Sequence, residues 1–142
     1  MSYEVTISQP KSPMSVLRRI KVRTAIGVAF LLCKLKPRRI IWFLKLLNTS
    51  RKPSSLDDAK QARAQVIALS VRCAHREGCV PRSIAVALLC RAEGGFADWC
   101  VGVRTTAPFG AHAWVEVNGH PVAEGIEPGQ FAVLDSVRWK EE

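Results

Sequence analysis

An Asn-Gly pair at positions 118–119 is the feature that most narrows the folds open to this chain. Between two alternating stretches it is the strongest short signal for a tight β-hairpin, because both residues tolerate the positive φ that the turn requires. The preceding stretch, 111–117, carries an apolar face of Ala111, Ala113, Val115 and Val117, which is typical of a half-buried strand. A two-residue turn pairs residues whose numbers sum to about 237, so residues 120–125 are predicted to return alongside His112.

Helical patterns precede this hairpin. Ser15 can cap a helix over 16–36 that ends before Pro37, and a second helix follows over about 38–47. Ser55 or Asp57 can cap a third helix to about residue 75, and Pro81 suits the first turn of a fourth, to about 93. Strands are predicted over 96–105, 112–118, 119–125 and 130–137, and the middle two form the hairpin. Helices followed by an antiparallel sheet predict an α+β domain.

Charge divides the chain into two unequal parts. Residues 1–52 hold twelve Lys and Arg against one acid, Glu4, whereas the rest holds nine against eleven. We therefore predict a basic helical N-terminal extension over 1–55 and a core over 56–142. The basic part could be a solvated face, or could bind an acidic partner or an anionic membrane. Its apolar run, 25–33, is too short for a span of about 20 residues, so membrane contact through 14–47 would be peripheral. No recognised nucleic-acid motif accompanies the charge.

One of the five cysteines has a distinctive setting. Cys79 stands just before a predicted helix, where backbone N–H groups and the helix dipole favour a thiolate. Arg82, close behind it, adds positive charge. The other four cysteines, Cys33, Cys73, Cys90 and Cys100, suit core packing. Cys79 itself could also be a buried small residue at a helix start. No cysteine or histidine spacing predicts a metal site, no cofactor is implied, and the cysteine usage favours a reduced cytoplasm.

A nucleophilic cysteine needs an imidazole base, and the base needs a group that orients it. Of the three histidines, His112 alone has small neighbours and a predicted hairpin partner. The orienting acid could be Glu116, Glu124, Glu127 or Asp135. The hairpin register favours Glu124, because it places that residue beside His112 on the returning stretch, whereas Glu116 would lie about 13 Å along the same strand.

Two segments together resemble a known family. "GCVPRSIAVALLCRAEG" and "WCVGVRTTAPFGAHAWVEVNGHPVAEG" are similar to the transglutaminase-like leader peptidases of lasso-peptide biosynthesis, the B proteins of those clusters. The similarity covers about residues 62–134. It implies a papain-like, transglutaminase-type α+β core, with Cys79 as nucleophile, His112 as base and Glu124 as acid. Many members have Asp at the position of Glu124, so this chain departs from them by one methylene.

The resemblance also implies a substrate and partners. The protein would cut the leader from a ribosomally made precursor peptide, and an ATP-dependent lasso cyclase would use the amine that is released. The chain resembles the stand-alone form, which works with a separate leader-recognition protein. Arg82, Phe109 and Trp114 are the candidate substrate-binding residues. Two other functions stay open: acyl transfer to an amine, as in true transglutaminases, and a non-catalytic module that binds a leader or a partner through the basic helices.

Overall fold

The computed structural model describes residues 14–49, 52–126 and 129–139. Within these ranges five α-helices come first and a four-stranded antiparallel sheet follows, which confirms the α+β class. The helices are α1 (Val16–Leu32), α2 (Pro37–Leu47), α3 (Leu56–Leu69), α4 (Val71–Ala74) and α5 (Cys79–Ala92). The strands are β1 (Asp98–Arg104), β2 (Ala111–Val117), β3 (His120–Pro121) and β4 (Phe131–Val137). The first 13 residues of the predicted N-terminal extension lie outside the described residues.

Serine side chains set the starts of three helices. The hydroxyl groups of Ser15 and Ser55 accept hydrogen bonds from the backbone of the first turns of α1 and α3, as predicted. The single helix expected over 55–75 was wrong, because it is interrupted at Ser70. This residue has extended backbone (φ −142°) and its hydroxyl accepts from the N–H of Cys73, so it ends α3 and caps α4. A serine side chain competes in this way with the helical hydrogen-bond ladder.

The sheet has the strand order β3-β2-β1-β4. Asn118 and Gly119 both have positive φ (51° and 80°), which forms the predicted tight turn. Val117 pairs with His120, and Glu116 with Pro121, so the predicted sum of 237 is confirmed. The returning strand is shorter than expected, because β3 has two residues, the hydrogen bond from Val122 to Val115 is the last of the ladder, and residues 123–126 leave it. This change of direction carries Glu124 towards the start of β2.

Helix α5 is the centre of the core. It packs against α1 and α3 and against β2 of the sheet. A hydrogen bond from the Trp99 indole N–H to the Ser83 hydroxyl (2.9 Å) fastens β1 to α5. Val22 and Ala29 of α1 belong to the same hydrophobic cluster as α5 and the sheet. The basic helix α1 is thus packed directly on the element that begins with Cys79. None of the described helices is long and apolar enough to cross a membrane.

Candidate active site

Cys79 is the first residue of α5, which starts two residues before the predicted position near Pro81. A 3₁₀ turn, Arg76–Gly78, delivers the chain to it. The side chain of Cys79 lies near the ring of His112 and the backbone of Ala113, and both lower the pKa of its thiol. The nucleophile candidate therefore lies where the start of α5 meets the start of β2, with helix N–H groups beside it.

His112 connects this thiol to an acid. Its Nε2 lies 3.1 Å from Oε2 of Glu124, within hydrogen-bonding distance. Because Nε2 faces Glu124, Nδ1 is the ring nitrogen left for Cys79. The structure therefore places the cysteine, the histidine and the glutamate in one continuous row. This is the geometric order that a cysteine nucleophile, its base and an orienting acid require.

The protonation of the row follows from its hydrogen bonds. Burial alone would raise the pKa of the Cys79 thiol, but the hydrogen bonds from His112 and Ala113 and the charges of His112 and Arg82 lower that pKa below 9.0. Burial alone would lower the pKa of His112, yet its hydrogen bonds to Cys79 and Glu124 raise it to about 9. Both shifts favour a thiolate beside an imidazolium, the reactive form of such a pair.

The other four cysteines have the opposite tendency. Burial raises the pKa of the Cys33 and Cys73 thiols. Burial also raises the pKa of Cys90 to about 11 and that of Cys100 to about 12. Cys79 is thus the one cysteine of the five whose environment stabilises the thiolate.

Two arginines surround the carboxylate of Glu124. Arg63 of α3 lies with its Nε 3.3 Å from Oε1, and Arg82 of α5 lies with its Nη2 3.6 Å from the same oxygen. Burial would raise the pKa of Glu124, but the hydrogen bond to His112 and the charges of Arg63 and Arg82 lower it. Glu124 is therefore held ionised. Sequence reasoning missed Arg63, since nothing near it in the chain marks it as part of a site.

The structure places Arg82 and Trp114 differently from the expected substrate-binding surface. Arg82 is 6% exposed and donates to the backbone carbonyls of Cys73 (2.9 Å) and His75 (3.3 Å). Trp114 is 2% exposed and stacks on the His112 ring with centroids 5.9 Å apart. Arg82 therefore holds the backbone before Cys79, and Trp114 packs on the ring of His112. Phe109, in contrast, is 75% exposed in the loop before β2, and substrate binding there stays a prediction.

A half-buried strand, with one face exposed, was expected for β2. The prediction was wrong, because the face that carries His112 is also largely covered. Phe131 of β4 packs against both the His112 and Trp114 rings. Glu116 accepts from the Trp114 indole N–H (2.9 Å) and from Arg138 (2.8 Å), so its carboxylate serves a different contact. Asp135 accepts from the backbone N–H of Ser136. Glu127 lies outside the described residues.

A cleft of about 400 Å³ opens beside Gly78, the residue before the nucleophile candidate. Helix α1 provides part of its wall, so the N-terminal helical segment contributes to the surroundings of the site. The lining residues are Phe30, Cys33, Val71, Arg72, His75, Glu77, Gly78 and Pro81. Among the described residues, no group of three or more His, Cys, Asp or Glu side chains is arranged to hold a metal ion.

Comparison with known proteins identifies one family. The family described as the transglutaminase-like superfamily matches residues 18–136. This range includes all but the first two residues of α1, and it includes Cys79, His112 and Glu124. No curated protein and no solved structure matched the chain.

Proposed function

The chain belongs to the transglutaminase-like superfamily, and from this premise we propose that it is a cysteine peptidase that removes the leader of a lasso-peptide precursor. The superfamily includes both cysteine peptidases and acyl transferases. The observation that carries the proposal is the position of His112 between Cys79 and Glu124, with its Nε2 3.1 Å from the Glu124 carboxylate and its ring lowering the pKa of the Cys79 thiol. The similarity of residues 62–134 to lasso-peptide B proteins supports the substrate class.

In the proposed mechanism the Cys79 thiolate attacks the carbonyl carbon of the scissile peptide bond. N–H groups at the start of α5 stabilise the negative charge that forms on the carbonyl oxygen. The His112 imidazolium gives its proton to the leaving amine as the C–N bond breaks, which leaves a thioester on Cys79. His112, now neutral, takes a proton from water, and the resulting hydroxide attacks the thioester and releases the leader acid. Glu124 keeps the ring oriented throughout.

The test is mass spectrometry of the precursor after incubation with this protein and the leader-recognition protein. The wild type is expected to release the leader, and Cys79→Ala is expected to release none. Cys90→Ala removes a thiol 11 residues further along α5, away from the cleft beside Gly78, and serves as the matched control. Complete cleavage by Cys79→Ala would overturn the proposal. An added primary amine that captures the acyl group in preference to water would reassign the protein to acyl transfer.

We also propose that the outer surface of α1 and α2 receives the leader-recognition protein. The described stretch 14–49 holds nine Lys and Arg and no acid. The solvent-exposed face of a helix that packs on a core is normally polar. The exposed faces of α1 and α2 instead carry large apolar side chains between the cations. They are Val16, Leu17, Ile20 and Leu31 on α1 and Trp42 and Leu46 on α2. A partner with an acidic rim around an apolar patch fits this surface.

Titration calorimetry with the recognition protein tests this contact. Ile20→Glu is expected to weaken binding at least 10-fold, because it places an anion in the apolar line. Leu134→Glu, an equally drastic change at an exposed position of β4, is the control and should bind as the wild type does. Binding of the wild type to anionic vesicles instead of to the recognition protein would reassign the surface to membrane contact. The free thiols of all five cysteines fit the reducing cytoplasm in which we propose that the protein acts.

A further inference from the structure

Glu124 lies just beyond the end of the hydrogen-bonded ladder between β2 and the returning strand. The last backbone contact before it is the hydrogen bond from Val122 N–H to the Val115 carbonyl (2.9 Å). Ala123 and Gly125 on either side both have positive φ (53° and 61°). The regular ladder therefore ends two residues short of the carboxylate. What fixes the direction of that carboxylate has to come from side chains.

The two carboxylate oxygens have separate partners. Oε1 faces Arg63 and Arg82, at 3.3 and 3.6 Å, whereas Oε2 faces His112 at 3.1 Å. Holding one oxygen between two guanidinium groups sets the rotation of the carboxylate about its last bond. The other oxygen is then directed at the imidazole. The side chains involved are largely buried, with Glu124 9%, Arg63 12% and Arg82 7% exposed, so bulk water does not replace these contacts.

The two arginines have different attachments. Arg82 is fixed by the carbonyls of Cys73 and His75 as well as by Glu124. It therefore also holds the turn before Cys79. The hydrogen bond described for the Arg63 guanidinium goes to Glu124, across 61 residues of sequence. Arg63 is consequently the residue that tests the function of this arrangement with the least effect on the turn.

We propose that Arg63 is a positioning residue of the site, which acts by holding Oε1 of Glu124 so that Oε2 faces His112. The catalytic importance of Arg63 rests on the proposed function, but the experiment that tests its positioning role does not require that function. The extra methylene of Glu124 relative to Asp adds a rotatable bond to the acid. Two guanidinium groups on one oxygen restrict that added freedom, since each contact removes conformations of the longer side chain.

The experiment measures the rate of Cys79 alkylation by iodoacetamide as a function of pH, with mass spectrometry of the modified peptide. This readout needs no peptide substrate. In Arg63→Gln the orienting contact is lost, His112 is less firmly held as an imidazolium, and the Cys79 thiolate loses part of its stabilisation. The midpoint of the alkylation curve is expected to move upward by about one pH unit. Arg63→Lys keeps the charge but lacks the Nε–H donor, and a smaller shift in the same direction is expected.

A double-mutant cycle with Glu124→Gln shows whether Arg63 acts through Glu124. If it does, Arg63→Gln has no further effect on the alkylation curve once Glu124 is Gln. Lys60→Gln removes an exposed cation three residues earlier on α3 and should leave the curve unchanged. The thermal midpoint of each variant, measured by circular dichroism, shows that it is folded.

Three results would overturn the inference. One is an Arg63→Gln curve that coincides with that of the wild type. Another is a shift that adds fully to that of Glu124→Gln, since Arg63 would then act by another route. The third is an Arg63→Lys curve identical to the wild-type curve, which would show that Arg63 acts through its positive charge alone and does not position Glu124. If cleavage of the precursor is absent while the predicted shifts appear, the proposed substrate is wrong and the role of Arg63 stands.

Discussion

Replacing Gly78 by alanine is expected to damage both the stability and the reactivity of the protein. The added Cβ would lie 1.9 Å from the carbonyl oxygen of Arg72 and 3.0 Å from Cα of Cys73. These obstacles are backbone atoms, so no side-chain rotation can relieve the clash. Gly78 has φ −91°, which any residue can adopt, so glycine is required here for space alone.

The size of the effect follows from the distance. Non-bonded carbon and oxygen atoms rarely approach within about 3 Å, so the segment before Cys79 has to move by about 1 Å. Overpacking of this kind costs about 1–3 kcal/mol, and the reduced freedom of the unfolded chain returns about 0.4–1 kcal/mol of it. The net loss in free energy of unfolding should be about 1–2 kcal/mol. A displacement of about 1 Å at a nucleophile can slow its reaction by about 100-fold.

Urea titration followed by circular dichroism measures the first quantity, and the rate of Cys79 alkylation at neutral pH measures the second. Gly27→Ala is the matched control, because a Cβ at Gly27 would meet no atom within 4 Å. In the middle of α1 this change should raise stability by about 0.5–1 kcal/mol. A Gly78→Ala protein as stable and as reactive as the wild type would refute the reasoning from close backbone approach.

Two other outcomes are expected. The rate of leader cleavage should rise with pH as the Cys79 thiol, whose pKa is lowered from 9.0, becomes a thiolate. The rate should fall again above about pH 9, because the pKa of His112 is raised to about 9 and the ring then loses the proton that the leaving amine needs. A rate that stays constant well above pH 9 would contradict this assignment. Ser83→Ala should lower the free energy of unfolding by about 1–3 kcal/mol in a urea titration, because it leaves the buried Trp99 indole N–H without its acceptor. An unchanged midpoint would show that this hydrogen bond contributes nothing to stability.

The hairpin could be predicted because its signals are local. Asn118–Gly119 dictates a two-residue turn, and the turn dictates the register of the pairs Val117–His120 and Glu116–Pro121. The final approach of Glu124 to His112 comes from the change of direction after Val122, which the register does not encode. The break at Ser70 was not predicted, since a serine inside a helical pattern is compatible with either a continuous helix or a new cap. Arg63 could not be found from the sequence either. It reaches Glu124 only because α3 packs against α5, and no periodic pattern encodes a contact between side chains 61 residues apart.

The distribution of the site along the chain matters while the protein is being made. Cys79 is synthesised 45 residues before Glu124, and both strands of the hairpin lie between them. Until that hairpin has closed, the thiol lacks the imidazole and has the pKa of an ordinary cysteine. We therefore expect a nascent chain, or a fragment cut before residue 111, to carry a Cys79 thiol of ordinary reactivity. The thiolate form of Cys79 is expected to be stabilised only after the C-terminal half has folded.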